Sequence, residues 1–202
     1  GAGLYAALAE IGFFPVKNLK NYCHDGSNLS GHVSHKDVPG VELSTGSLGH
    51  GLSVGVGMAK AAKLDNKSHR IFVLLSDGEC DEGSVWEAAM FSHHHKLDNL
   101  VVLVDYNKIQ ALSRLNDALP LKDLSAKFKA FNWNCINVKD GHSFKSLISS
   151  FKRKGKKGKP LAIIVNTIKG KGIKEFENDP IWHARKLKGK EIEIGKKKLG
   201  II

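Results

Sequence analysis

Two short apolar runs separated by a helix-forming segment constrain this chain more than any other feature. Ile71–Leu75 is rich in branched side chains and is predicted to be a buried strand, and Leu100–Val104 is a second run of this kind. Between them, Val85–Lys96 has the length and composition of a helix, with Ser84 as its predicted N-cap. Strand, helix and strand form a βαβ unit, whose crossover is right-handed and whose strands are parallel. The sequence therefore predicts an α/β fold with a parallel sheet.

An aspartate and an asparagine follow these two predicted strands. Asp77 comes just after the first strand and Asn107 just after the second. The carboxyl ends of parallel strands share one edge of a sheet, where α/β proteins bind their ligands. A carboxylate, an amide oxygen and the carbonyls of Asn107–Ile109 form an all-oxygen set that suits Mg²⁺ with substrate phosphates. Gly78 would let a backbone N–H approach a phosphate closely.

The alternative interpretation of these residues is a solvated acidic loop followed by an ordinary turn. An Asp-Gly pair alone would favour that interpretation. We favour the metal site because an asparagine occupies the corresponding position after the next strand.

Charge is distributed unevenly along the 202 residues, which carry a formal net charge of +11. Residues 151–202 contain 16 Lys and Arg against 5 Asp and Glu, so the whole excess lies in this part of the chain. The basic residues cluster in 151–159 and 185–198, and such clusters can bind nucleic acid or acidic surfaces. They lack interleaved aromatic residues for base stacking, so we favour a solvated face over a nucleic-acid site.

Cysteine spacing and hydropathy exclude several classes of protein. Cys23, Cys80 and Cys135 are widely spaced, which argues against a disulfide framework or a zinc site and for a reducing, cytoplasmic compartment. No run of 18 apolar residues occurs, so a membrane span is not expected. The first residues lack the features of a signal peptide, and the chain opens without Met, so we expect a truncated start.

A second informative stretch, residues 41–64, combines a turn with a glycine-rich helix predicted over Gly51–Lys63. Gly51, Gly55 and Gly57 would each cost about 1 kcal/mol relative to Ala in a helix, which close backbone packing would offset. The free N–H groups at the helix N-terminus could face a ligand. The stretch does not match G-x-G-x-x-G, so a dinucleotide site is disfavoured.

Three segments of the chain resemble transketolases, in particular those split into two chains. Residues 76–78 (SDG) followed by Asn107 resemble the thiamine diphosphate signature, Gly-Asp-Gly then Asn about thirty residues later, with Ser76 in place of the first glycine. The flanking EGSVWEAA and NLVVLVDYNKIQ are similar to transketolase sequences. So are residues 44–51 (STGSLGHG) and 178–183 (NDPIWH), and the resemblance covers roughly residues 1–183.

This resemblance implies a thiamine diphosphate-binding fold, with a parallel central sheet and helices on both faces. It implies thiamine diphosphate and Mg²⁺ as cofactors. The implied metal ligands are Asp77, Asn107 and the carbonyl of Ile109. The implied cofactor-binding residues are Gly46, Ser47, Leu48, Asp77, Gly78, Asn107 and His183. The implied catalytic residues are His183, over cofactor and substrate, and His32, beside the substrate. Many transketolases have a lysine at the position of Asn166, and Lys169 and Lys171 are the candidates to supply that diphosphate contact.

The resemblance also implies an activity and a partner. The activity is transfer of a two-carbon ketol unit from a ketose phosphate to an aldose phosphate. No residue here matches the glutamate that activates the aminopyrimidine, which the family keeps on a second domain. We therefore expect a separate pyrimidine-binding subunit, the C-terminal one, in an α₂β₂ assembly. The expected domains are residues 1–183, which bind the cofactor, and residues 184–202, a basic arm or tail.

Two other functions stay open on sequence alone. The chain could be another thiamine diphosphate enzyme component, of the deoxyxylulose-phosphate synthase or dehydrogenase type. It could also be a catalytically silent basic binding module. The STGSLGHG and NDPIWH segments favour transketolase.

Overall fold

Four parallel strands form a single sheet in the computed structural model, which describes residues 1–111 and 113–201. The sheet belongs to the second of two units into which the chain divides, Gly1–His50 and Gly51–Ile202. The strands are β1 (Ile71–Ser76), β2 (Leu100–Tyr106), β3 (Asn134–Val138) and β4 (Leu161–Asn166), in the spatial order β1-β2-β4-β3. The predicted parallel α/β fold is confirmed, and each predicted strand is found within two residues of its expected ends.

Helices connect these strands and cover both faces of the sheet. The helices of this unit are α2 (Gly51–Leu64), α3 (Gly83–His94), α4 (Leu115–Ala118), α5 (Leu124–Ala130), α6 (Phe144–Lys152) and α7 (Lys190–Lys198). On one face, residues of α2, α3 and α5 pack with alternate residues of the strands, such as Val102 and Ile164. On the other face, Leu147 of α6 packs against Ile163 and its neighbours. The expected helices on both faces are therefore present.

The first unit is built from α1 (Ala2–Glu10), a 3-10 segment at Val16–Asn21 and long loops. The sequence predicts α1 within one residue of its observed ends. Its small core joins α1 to the loops that follow. The buried apolar residues are Tyr5, Leu8, Leu29, Val33, Val38 and Val41.

The register of the sheet brings three strand ends into line. Ser76 of β1 pairs with Asp105 of β2, and Tyr106 pairs with Asn166 of β4. The next residues of these strands are held there by the ladder, since the Asp77 N–H donates to the Asp105 carbonyl at 3.2 Å and the Thr167 N–H to the Tyr106 carbonyl at 3.3 Å. Residues that follow β1, β2 and β4 therefore meet at one edge, which we call the carboxyl edge.

Two segments differ from their sequence-based predictions. Helix α3 begins at Gly83, and Glu82, not Ser84, occupies the N-cap position. The reason is that a 3-10 turn at Gly78–Asp81 ends in the extended backbone of Glu82, so the chain enters the helix two residues early. The predicted linker at residues 111–124 contains α4, although Leu112 lies outside the described residues.

The basic end of the chain forms helix α7 within the described residues. Arg185 pairs with Glu191 at 2.7 Å and Lys198 pairs with Glu175 at 3.1 Å, so both ends of this segment are tied by ion pairs. No helix among the described residues is long and apolar enough to cross a membrane.

The glycines of α2 differ in how closely the sheet approaches them. A Cβ added at Gly55 would lie 2.3 Å from Cγ2 of Val73 in β1, whereas one at Gly57 would meet nothing within 4 Å. A Cβ at Gly51 would make only an ordinary contact, 3.9 Å from Val73. Close packing therefore offsets the helix cost of Gly55 but not that of Gly57.

Alanine at these two positions should have opposite effects on stability. Gly55→Ala should lower the free energy of unfolding by about 1–2 kcal/mol, because overpacking costs about 1–3 kcal/mol against a gain of about 1 kcal/mol in helix propensity. Gly57→Ala should raise it by about 1 kcal/mol. Urea unfolding of the two variants provides a matched comparison within one helix, and an increase for both would show that β1 yields freely to α2.

Candidate functional site

Asp77 is the buried acid at the carboxyl edge, with only 1% of its surface exposed. Its Oδ1 accepts the N–H of Gly78 at 2.8 Å, and its Oδ2 accepts the N–H of Lys108 at 2.6 Å. Lys108 lies in the loop after β2, 31 residues further along the chain. The Asp77 carboxylate therefore bridges the loops that follow two neighbouring strands.

Asn107 lies beside this carboxylate, at the start of the loop after β2. Its Oδ1 accepts the N–H of Ile109 at 3.0 Å, which folds the three residues into a tight turn. Lys108, at the centre of the turn, has a φ of +66°, in the left-handed region that most side chains avoid. The hydrogen bond from its N–H to Asp77 helps to hold this conformation. The structure thus brings Asp77, Asn107 and Ile109 together.

Asp105 is a second acid at this edge, and sequence reasoning did not select it. One of its oxygens accepts a hydrogen bond from the Thr167 hydroxyl, across to the end of β4. The other accepts a long hydrogen bond, 3.5 Å, from the side-chain amide of Asn107. Because an amide that donates through its nitrogen must turn its oxygen the other way, Asp105 helps to orient Asn107 Oδ1. Its position just before the Tyr-Asn pair was the available signal.

The charge of Asp77 is only partly compensated. Burial raises the pKa of this carboxyl above the ordinary aspartate value, the N–H groups of Lys108 and Gly78 oppose that rise, and the nearby charge of Asp105 adds to it. The Lys169 ammonium also lowers the pKa but is the smallest contribution. A buried carboxylate in this situation is stabilised by a cation.

The donor set at this edge fits a hard divalent cation. A carboxylate, an amide oxygen and backbone carbonyls are all-oxygen ligands, and Mg²⁺ is held by few protein groups because it keeps water and substrate phosphates. Among residues 1–111 and 113–201, no group of three or more His, Cys, Asp or Glu is placed to hold a metal ion. A site with one carboxylate therefore fits Mg²⁺ rather than a transition metal of several imidazole or thiolate ligands.

Lys169 and His183 form a contact pair in the segment that follows β4. The Lys169 ammonium lies 3.4 Å from Nδ1 of His183. Because an ammonium can only donate, Nδ1 is the acceptor, and the neutral ring carries its proton on Nε2. Partial burial, together with the Lys169 charge, lowers the pKa of His183 below its ordinary value. Lys169 thus acts electrostatically on both Asp77 and His183, a role that its position in the sequence only hinted at.

The loop after β3 braces the loop after β4. Nε2 of His142 accepts the N–H of Ile168 at 2.8 Å, and the side chain of Asn166 donates to the Val138 carbonyl at 3.0 Å. Gly141 lies between them, where a Cβ would come within 2.8 Å of the Asn166 carbonyl. The Asn166 amide therefore holds the fold together and is directed at β3.

Ser76 and Gly78 complete the turn around Asp77. The Ser76 hydroxyl accepts the N–H of Glu79 at 3.0 Å, and Ser76 has no positive φ, so a glycine is not needed there. Gly78 is confined because a Cβ would approach Cγ of Gln110 to 3.2 Å. Its N–H, predicted to approach a phosphate, is bound in this structure to the carboxylate of Asp77.

The first unit holds the other predicted residues in two loops. The Thr45 N–H donates to the Val33 carbonyl at 3.0 Å, and Nδ1 of His35 lies 2.6 Å from the Ser44 hydroxyl. The His32 ring lies against Gly46, where a Cβ would come within 2.4 Å of its Cδ2. Only glycine therefore allows this ring to occupy its place.

The remaining predicted residues of the first unit are exposed. Ser47 is exposed, and Leu48 has 49% of its surface accessible. Nδ1 of His50 lies 3.0 Å from the Leu48 carbonyl, so the turn is closed by its own side chain. A leucine held outward on a turn is available for contact with an apolar ligand.

Comparison with known proteins gives a consistent result over nearly the whole sequence. Residues 2–202 match the family described as "Transketolase, thiamine diphosphate binding domain". One of the two subunits of an apulose-4-phosphate transketolase, from Actinobacillus succinogenes, is 43% identical over 98% of this chain and 71% of its own length. A 6-deoxy-6-sulfo-D-fructose transketolase subunit from a Clostridium species is 40% identical over 93% of this chain and 68% of its own length.

Longer transketolases are also similar, and this chain spans less than a third of their length. Human transketolase is 42% identical over 91% of this chain and 29% of its own length. The crystal structure of transketolase from Campylobacter jejuni superposes with a TM-score of 0.87 and 30% identity, over 98% of this chain and 32% of that one. On the match of almost every residue to one family model, and on relatives above 40% identity, the chain belongs to the transketolase family and comprises its thiamine diphosphate binding domain.

Proposed function

We propose that this chain is the diphosphate-binding subunit of a split transketolase. It binds thiamine diphosphate through Mg²⁺ and helps to move a two-carbon ketol unit from a ketose phosphate to an aldose phosphate. The observation that carries the proposal is the buried carboxylate of Asp77, fixed between two strand ends beside the amide of Asn107. Asp77, Asn107 and the Ile109 carbonyl would hold the metal.

The residues of this chain bind and orient the cofactor. When bound, thiamine diphosphate supplies a nucleophilic carbon and an electron sink, and Mg²⁺ neutralises its diphosphate. Gly46, Ser47 and Leu48 contact the rings in this proposal, with Leu48 providing an apolar surface. Lys169 is the cation nearest to Asp77 in the electrostatics of the site, so it is placed to attract the diphosphate.

Two histidines act on the substrate side in this proposal. His183 is neutral near pH 7 because its pKa is lowered, and its Nε2–H can donate a hydrogen bond to a substrate oxygen or relay a proton. His32 is held against Gly46, so it has a defined orientation from which to contact the sugar. Both are exposed, as residues that meet a substrate must be before it binds.

The proposal includes a second chain. Two relatives are named as subunits of transketolases, and this chain spans 71% and 68% of their length. No residue here matches the glutamate that activates the aminopyrimidine in this family. The C-terminal, pyrimidine-binding subunit would supply it in an α₂β₂ complex. The alternative thiamine diphosphate enzymes are less well supported, because the relatives carry transketolase names.

Loss of either metal ligand should abolish saturable binding of thiamine diphosphate. We expect Asp77→Ala and Asn107→Ala to weaken binding in the presence of Mg²⁺ by about 100-fold or more, because the divalent ion that anchors the diphosphate loses a direct oxygen ligand. Isothermal titration calorimetry measures the loss, and circular dichroism checks that the fold is retained.

Asp65→Ala provides the control for these variants. It removes the same charge from an exposed residue just after α2 and should leave the affinity unchanged. Unimpaired binding by Asp77→Ala would rule out the proposed metal site.

Cofactor binding should weaken at acidic pH at a higher pH than an ordinary aspartate would cause. The pKa of Asp77 is raised in the folded chain, so the carboxyl binds a proton more readily than in the unfolded chain. As pH rises from the ordinary aspartate pKa through this raised value, the metal-free fold loses stability, and a bound cation restores it.

The thermal stabilisation given by Mg²⁺ and thiamine diphosphate should therefore be large at neutral pH. It should disappear as the pH falls through the raised pKa of Asp77. Differential scanning fluorimetry with and without the two ligands across pH 4–8 measures this, and a stabilisation that does not change with pH would contradict it.

The isolated chain should bind cofactor but give no transketolase turnover. Turnover should appear when the pyrimidine-binding subunit is added, because the group that activates the cofactor lies on that subunit. Expression of a tagged chain in its native host, followed by purification under mild conditions, should recover a second chain together with thiamine diphosphate. Full activity of the isolated chain would contradict the two-subunit proposal.

A further inference from the structure

A basic cavity lies at the opposite edge of the sheet from Asp77. Its volume is about 410 Å³, and residues just before or at the start of β1, β2 and β4 line it together with the loop between α6 and β4. The edge where parallel strands begin is distinct from the carboxyl edge. The proposed cofactor function therefore makes no use of this cavity.

Cations dominate its walls. Its charged residues are Lys63, Lys67, Arg70, Lys154, Lys157 and Asp98. Asp98 is already engaged, since its Oδ1 pairs with Lys63 at 2.6 Å and its Oδ2 accepts the N–H of Gly158 at 2.8 Å. Within the described part of the chain, no carboxylate lies within 4 Å of the other four cations.

The loop that carries two of these lysines is fastened to the sheet. The Arg70 guanidinium donates to the Phe151 carbonyl at 2.7 Å and to the Arg153 carbonyl at 3.0 Å, and it stacks 4.8 Å from the centre of the Phe72 ring. Gly155 packs so closely that a Cβ would lie 2.8 Å from Nδ2 of Asn134. The basic cluster 151–159, interpreted from sequence as a solvated face, is thus partly built into a cavity wall.

Fixed like charges around a concave surface repel one another, and an anion bound among them relieves that repulsion. We propose that this cavity binds a compact anion with two or more phosphate groups. Lysine and arginine together suit phosphate oxygens. The volume lies in the range of small-molecule sites.

A nucleic acid is a poorer fit to the cavity. Among the described residues that line it, none is aromatic, so no side chain is available to stack on a base. The cations surround one concavity and do not follow a track across the surface. The recognised chemistry is therefore a cluster of phosphates, either free or attached to a nucleoside.

Calorimetric titration of the full chain with tripolyphosphate in EDTA tests the proposal. We expect saturable binding of about one equivalent that weakens with added salt. Lys154→Gln together with Lys157→Gln should weaken it about tenfold, since each exposed charge contributes up to about 1 kcal/mol. The charge-matched control, Lys196→Gln with Lys197→Gln on the exposed side of α7, should leave the affinity within twofold of the unmodified chain.

Amide chemical shifts locate the bound anion. Tripolyphosphate should shift Gly155 and Gly158 at the cavity and leave Gly78 and Lys108 at the carboxyl edge unmoved, which separates this site from the cofactor site. A nucleoside triphosphate that binds equally well assigns recognition to the phosphates alone, and tighter binding adds a contribution from the base.

Three outcomes would overturn the proposal. They are absence of saturable binding, equal loss of affinity in both double variants, and tighter binding of an RNA oligonucleotide than of tripolyphosphate with shifts spread along the surface. None of them bears on the proposed metal site, because the titration is carried out without Mg²⁺ and neither double variant touches the carboxyl edge.

Discussion

The carboxylate of Asp77 is the interaction on which the rest of the site depends. It is buried, and its two oxygens take N–H groups from the loops after two different strands. Two hydrogen bonds from neutral amides do not fully compensate a buried negative charge, so the pKa of this carboxyl rises. The fold therefore carries an electrostatic cost at this point, and a bound divalent cation is the means by which that cost is offset.

The order of the strands decides which other groups reach Asp77. Because β4 lies between β2 and β3, the end of β4 adjoins the end of β2, and Thr167 meets Asp105 although 62 residues separate them. This contact turns Asp105 so that it can receive the amide of Asn107. With the strands in sequence order, β3 would occupy that place and Asn107 would lack this orienting contact.

Sequence patterns were sufficient for the parts of the site that depend on neighbouring segments of the chain. Apolar runs located β1 and β2, and an acid and an amide after successive parallel strands have to meet at one edge. They were insufficient for Asp105 and Lys169, because the contacts of these residues depend on where β4 inserts, which no local pattern encodes. Side-chain packing was equally hidden: Gly55 and Gly57 are alike in sequence, but only Gly55 faces Val73.

The same distinction applies to the two histidines proposed to meet the substrate. The surroundings of His32 are partly local to its loops, since the ring fits only because Gly46 has no side chain. His183 depends on Lys169, which fixes the acceptor role of Nδ1 and helps to lower the pKa of the ring. A neutral ring with its proton on Nε2 can donate to a sugar oxygen without adding a charge next to the cationic lysine. Lys169 therefore links the metal end of the site to its substrate end, by compensating one group and keeping the other neutral.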